Sequence, residues 1–233
     1  MDECVPPHHV RTRTPETLMS SLIEKAERIY SSVEHRADAA IHVVGILFAI
    51  NASLWLLWHV TGLSVGISVL VYCTGLVAMI GFSAAYNLAP NGPSKQILRR
   101  LDHAAIFIMI AATYTPFAVN RLAPPYGNVI LALIWLSASF GVAMKVLYPR
   151  RYEWLSLGLY LVMGWMIVTV LQPLHAAMTT TDFWLLVAGG LVYSAGVAFY
   201  VIEAIPYHKA IWHAFVLVAA ILHFSAVAME FTR

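Results

Sequence analysis

From Ala39 onward the chain alternates long apolar runs with short polar interruptions, and between Ala39 and Ser94 there is no Asp, Glu, Lys or Arg. One bilayer crossing takes roughly 20 apolar residues, so this stretch alone holds more than one. Dividing the sequence at its interruptions gives seven segments, at about 39–60, 65–88, 102–121, 127–147, 154–173, 183–203 and 210–230. The interruptions have turn chemistry: Thr61-Gly62, Pro90-Asn91-Gly92-Pro93, Pro124-Pro125-Tyr126-Gly127, Arg150-Arg151, and Glu203 to Lys209 with Pro206. Seven helices of about 20 residues occupy roughly 150 positions, which leaves only short connections. The pattern predicts an all-α, seven-transmembrane-helix bundle over 39–233, preceded by a tail at 1–38, with no room for a separate extramembrane domain. No internal repeat of the kind that marks many transporters is visible.

The tail is charged throughout and lacks the apolar core of a signal peptide. Within it, Leu18, Leu22, Ile23, Ala26, Ile29, Tyr30 and Val33 recur at helical spacing. Residues 16–34 are therefore expected to form an amphipathic helix on the inner membrane face, starting at Thr14-Pro15-Glu16.

Composition supports the membrane class. The 233 residues are 60% hydrophobic and 11% charged, against about 25% charged in an ordinary soluble domain. Too few charges remain to cover a soluble surface. A net charge of +2, with no basic stripe interleaved with aromatics, excludes nucleic acid as a partner. Cys4 and Cys73 fall in the tail and in an apolar span, which predicts no structural disulfide. Twelve of the 14 Lys and Arg residues lie on one side of the predicted bundle, all but Arg121 and Arg233. Cytoplasmic flanks carry that excess, so the amino terminus is expected in the cytoplasm and, with an odd number of spans, the carboxyl terminus outside. The setting is then a cell membrane, with membrane lipids as partners. Trp55, Trp58, Trp154, Trp184 and Trp212 fall near helix ends and read as interfacial anchors. Gly75, Ala78, Gly189, Gly190 and Gly196 read as points of close helix packing.

Polar groups at membrane depth are costly, so each is a functional candidate. At the predicted cytoplasmic level, His42 begins the first segment, Ser83 and Asn87 end the second, Asp102 and His103 begin the third, and His208, Lys209 and His213 lead into the seventh. At about 100° per residue, Ser83 and Asn87 share a helix face, as do Lys209 and His213, whereas His208 lies about 140° from His213. His208 can join that face only if the helix starts after it. Each residue also has a plain structural role open to it: Lys209 can snorkel, Asp102 can cap a helix, and Arg99 and Arg100 can mark orientation. His223, about 15 Å along the helix from His213, reads as a buried packing or hydrogen-bonded residue outside the group.

The stretch 98–117, from Leu-Arg-Arg-Leu-Asp-His to Thr-Tyr-Thr-Pro-Phe, resembles the signature of the bacterial hemolysin III family, which belongs with the progestin and adiponectin receptors. Residues 210–217 with His223-Phe224 resemble that family's last helix. Glu34, Asp38 and His42 resemble its first motif, with Asp where the family has Asn. The resemblance implies seven helices, an internal amino terminus and a zinc site near the cytoplasmic face. That site takes one histidine from a Ser-x-x-x-His motif ending helix 2 and two from a His-x-x-x-His motif starting helix 7. An aspartate at the start of helix 3 works beside the ion, and relatives that resemble ceramide-cleaving amidases suggest hydrolysis of a lipid amide.

Two of the three implied ligands differ here: Asn87 and Lys209 stand where the pattern has histidine, and only Asp102 and His213 carry over. Three readings remain open at this stage. In the first, the chain is a metal-dependent lipid-amide hydrolase with an altered site. Asp102 and Ser83 are then the catalytic candidates, His213 and Asp102 the metal candidates, and His42, His103 or His208 the substitutes for the lost ligands around zinc. In the second it is a metal-free structural or sensor protein in which Lys209 pairs with Asp102. In the third, ranked last, it is a pore or transporter.

Overall fold

The structure, a computed structural model, describes the backbone of residues 15–233 and the side chains of residues 32–233. It is all-helical among the described residues: α1 (Pro15–His59), α2 (Leu63–Leu88), α3 (Pro93–Asn120), α4 (Tyr126–Leu147), α5 (Glu153–Trp165), α6 (Leu171–Ala177), α7 (Thr180–Val201) and α8 (His208–Phe231). A short 3-10 turn, Met166–Val170, joins α5 to α6, and the three pieces together make one span. Seven spans result, as the hydropathy pattern predicts, each long and apolar enough to cross a bilayer. Helix α1 runs without a break from the described part of the tail through the first span to His59, where a separate tail helix over 16–34 was expected. The placement of residues 16–34 at the membrane face concerns side chains that for the most part lie outside the described residues.

Short connections force neighbouring spans to run antiparallel, so α1, α3, α5 and α8 all start at the end of the bundle that carries most of the Lys and Arg. Here this is called the basic end. Helix α3 is the most buried span and α7 the least. Around α3 the core gathers Leu56, Tyr72, Leu76, Phe107 and Ile134, all fully buried. Small residues permit the close approaches: a Cβ on Gly75 would sit 2.7 Å from that of Ala112, and one on Gly196 2.8 Å from that of Phe215. Gly190 instead borders open space. Cys73 is buried and free.

Several boundaries differ from the sequence-based expectation. Helix α3 starts at Pro93, which occupies the first helical position, where its missing N–H costs nothing. Asp102 and His103 therefore lie more than two turns inside the helix, and Asp102 is no N-cap. The fifth span is interrupted, and its freed backbone groups are satisfied by another helix. Tyr114 on α3 places its hydroxyl 2.9 Å from the carbonyls of Met163 and Gly164, and it accepts from the Ile167 N–H at 2.7 Å. Irregular backbone at membrane depth persists only where protein satisfies it in this way. Pro173, which cannot donate to the ladder, lies just beyond the interruption.

The two cations at the far end are both engaged. Arg121 binds the Glu230 carboxylate, and Arg233 lies 3.0 Å from the fully buried Asp182. Trp55, Trp58, Trp154 and Trp184 are exposed on the bundle surface as anchors would be. Trp212 is not one of them: its ring packs 5.4 Å from Tyr200 of α7.

Candidate functional site

On α1, Glu34, Asp38 and His42 are spaced by four residues and share one face. Each of them meets the beginning of α8. Glu34 Oε1 accepts from the Tyr207 backbone N–H at 2.6 Å, which ties down the start of α8 where Tyr207 adopts a left-handed conformation. Asp38 Oδ1 lies 2.5 Å from His213 Nδ1, and its other oxygen 3.6 Å from His42 Nε2. The two imidazoles are tilted against each other with ring centres 4.5 Å apart. Asp38 and His42 are buried. A carboxylate only accepts, so the hydrogen bond to Asp38 places the proton of a neutral His213 on Nδ1 and leaves Nε2 with a free electron pair. The buried His42 Nε2 has no hydrogen-bond partner among the described residues.

These three side chains are the one group of His, Cys, Asp or Glu among the described residues with donor atoms close enough to share an ion: one atom from each lies within 4.8 Å of the others. Two imidazoles and a carboxylate form a donor set that suits zinc and similar divalent ions. The buried nitrogen of His42, without a hydrogen-bond partner among the described residues, is available to ligate. Apart from any ion, the Asp38–His213 contact also has the form of the carboxylate–histidine pairs that orient metal ligands.

Among the residues expected from sequence, His42 and His213 come together, and Asp102 faces both of them electrostatically from α3, beside the Ser83 hydroxyl. The others do not join. The Asn87 amide turns back to the Ser83 carbonyl of its own helix at 2.9 Å. His103, one residue on from Asp102 and so about 100° around α3, points to a different cluster, 3.8 Å from Glu153. That cluster also contains Arg99 and the buried Lys145, at 2.7 and 2.6 Å from the two Glu153 oxygens. His208 is the first residue of α8, and its buried Nδ1 lacks a partner, but it lies outside the donor group. Lys209 is exposed, and among the described residues no carboxylate lies within ion-pair distance of it, so the expected Asp102–Lys209 pair is not formed.

The donor absent from the sequence-based candidates is Asp38. Its signal was present: an acid four residues before a histidine, at the position where the resembled motif carries Asn. A cavity of about 790 Å³ opens beside the site. At one end it is lined by His42, Ser83, Asn87, Asp102, Lys209 and His213, and deeper by Met109, Phe117, Leu174, Phe183 and Leu186. It thus has a polar end and an apolar body.

Comparison with known proteins agrees with this architecture. The model of the family described as "Haemolysin-III related" matches residues 31–224. The Hemolysin-3 homolog of Bacillus subtilis (strain 168) is 33% identical over 192 residues, covering 81% of this chain and 90% of the relative. Hemolysin-3 of Bacillus cereus is 34% identical over 210 residues, covering 88% and 96%. The Monocyte to macrophage differentiation factor of Homo sapiens is 32% identical over 202 residues, covering 83% of each. No solved structure matches the chain.

Proposed function

We propose, from the premise that this chain belongs to the haemolysin-III-related family and is a multi-pass protein of the bacterial cell membrane, that it is a metal-dependent hydrolase of lipid amides. The observation that carries the reading is the convergence of Asp38, His42 and His213 beside Asp102 at the polar end of an amphiphile-sized cavity. Asp38, His42 and His213 would hold the ion, Asp38 ligating in place of its hydrogen bond to His213. A bound zinc ion supplies Lewis acidity that polarises water and the amide carbonyl.

The chain's own residues do the rest. The apolar walls take up the acyl chain and set the amide at the polar end. Asp102 accepts a proton as the water oxygen bonds to the carbonyl carbon. It returns that proton to the nitrogen as the C–N bond breaks, releasing a fatty acid and an amine. Ser83 positions the Asp102 carboxylate. By the distribution of Lys and Arg, the basic end and its site face the cytoplasm.

A metal-free structural or sensor reading draws on one observation: the Asp38–His213 hydrogen bond is complete without an ion. Elemental analysis of protein purified without added metal separates the two. Near-stoichiometric zinc in the parent protein is expected, lost in His213→Ala and in His42→Ala, together with chelator-sensitive release of fatty acid from a fatty-acyl amide. Asp102→Asn is expected to retain the metal and lose at least about a hundredfold in rate. Parent protein devoid of metal, or hydrolysis indifferent to chelation, overturns the proposal.

A further inference from the structure

Deep in the same cavity, about 15 Å along α8 from His213, a second set of polar groups surrounds His223. Its Nε2 lies 3.1 Å from the Leu186 carbonyl oxygen on α7. A carbonyl only accepts, so Nε2 carries the proton of the neutral ring and Nδ1 is left as an acceptor. The ring reaches that carbonyl because residue 189 is glycine: a Cβ there would lie 2.2 Å from His223 Cδ2 and 2.5 Å from Nε2. Tyr193, four residues on along α7, packs its ring 5.5 Å from that of His223. Both His223 and Tyr193 line the cavity, and among the described residues neither the Tyr193 hydroxyl nor His223 Nδ1 has a hydrogen-bond partner. Behind them Tyr72 is fully buried, its hydroxyl also unpartnered, and its phenol interacts electrostatically with that of Tyr193.

Three unpaired polar groups at membrane depth are expensive unless something completes them. Two of them, His223 and Tyr193, line a continuous cavity far larger than one water. A depth of about 15 Å is half the hydrocarbon thickness of a bilayer, the level reached by the distal half of an acyl chain whose polar end sits at His213. An alcohol fits the arrangement, since its proton can go to His223 Nδ1 and its oxygen can accept from the Tyr193 hydroxyl. We propose that His223 and Tyr193, backed by Tyr72 and given room by Gly189, form a second subsite that recognises a hydroxyl group on the distal half of the bound acyl chain. The inference rests on the amphiphile reading of the cavity and not on the metal.

The test compares two non-hydrolysable probes, octadecanesulfonamide and its analogue with a hydroxyl in the distal half of the chain. Binding to the full chain in lipid nanodiscs is followed by fluorescence of Trp165 and Trp212, which line the cavity. About tenfold tighter binding of the hydroxylated probe is expected from one buried hydrogen-bonded group. The preference should vanish in Tyr193→Phe, which removes one oxygen, and in His223→Leu, while affinity for the plain probe stays within about twofold. Equal affinity for the two probes overturns the subsite alone and leaves the nook to ordered water. Preference that survives in Tyr193→Phe and His223→Leu overturns the assignment to these residues. Binding of neither probe overturns the amphiphile cavity and the subsite together.

Discussion

Replacing Asp38 by Asn isolates what its charge contributes, because the two side chains have the same shape. Asp38 is 6% exposed and bridges the rings of His42 and His213. The Asn carbonyl can still accept from His213 Nδ1, so the hydrogen bond survives while its ionic part is lost. A hydrogen bond to a charged group contributes about 1.5–3 kcal/mol and a neutral one about 0.5–1.5, so folding should lose about 1–1.5 kcal/mol. Metal affinity should fall more visibly. Loss of a carboxylate that orients a ligating histidine costs about 10–100-fold, or about 1.4–2.7 kcal/mol, and loss of a direct ligand costs more. Competition with a chromophoric zinc indicator reads the affinity, and thermal unfolding in detergent reads the stability. Affinity within about twofold of the parent would show that Asp38 neither ligates nor orients, and would refute the role given to the α1 face. Asp38→Ala should lose more on both scales than Asp38→Asn.

Other parts of the bundle make sharp expectations of their own. Glu153→Gln leaves the buried Lys145 without a counter-charge; a broken buried pair costs about 3–5 kcal/mol, reduced here to about 1–3 because a third of the Glu153 side chain is exposed. Adding Lys145→Met should restore most of the lost thermal stability. Tyr114→Phe strips the interrupted fifth span of the hydroxyl that serves its backbone, and should cost about 1–3 kcal/mol with faster amide exchange at Ile167. Gly141→Ala would put a Cβ 2.4 Å from the fully buried Phe107 ring. That overpacking should cost about 1–3 kcal/mol in the unfolding assay, with Phe107→Leu in the same background relieving it.

The spans were legible because the bilayer imposes one requirement, about 20 apolar residues in a row, that hydropathy reads directly. What hydropathy could not read lies where polar residues are helical or where distant residues repair a ladder. Residues 93–101 of α3 are rich in Lys and Arg, so the third segment looks shorter than its helix, although Pro93 carried a start signal. The interruption of the fifth span depends on Tyr114, some 50 residues away in sequence, and no local pattern reports it. The site was half legible for a similar reason. Depth put His42, Asp102 and His213 at one level, where the structure also brings them together, because level along a helix follows from residue number. Azimuth sent His103 elsewhere, since it depends on how α3 is rotated in the bundle. The metal-free reading paired Lys209 with Asp102 because an unpaired ammonium is costly at membrane depth; the structure leaves Lys209 exposed, where it needs no partner, as the snorkelling reading has it.

Asp38 resolves the difficulty that the altered ligands raised. The resembled pattern takes two donors from the start of the seventh span, four residues apart, and one from the end of the second. In this chain those positions read Lys209, His213 and Asn87. Two donors at a spacing of four are nevertheless present, as Asp38 and His42 on α1, and the contacts of that face with His213 bring all three together. A helix presents residues i and i+4 on one face whichever helix it is, so α1 offers the same local geometry that Lys209 and His213 would have offered on α8. Glu34 completes the exchange by tying the start of α8 to that face through the Tyr207 N–H. Lys209→His alone should therefore leave metal affinity, read by competition with a chromophoric zinc indicator, within about twofold of the parent, and should recover affinity only in the Asp38→Asn background.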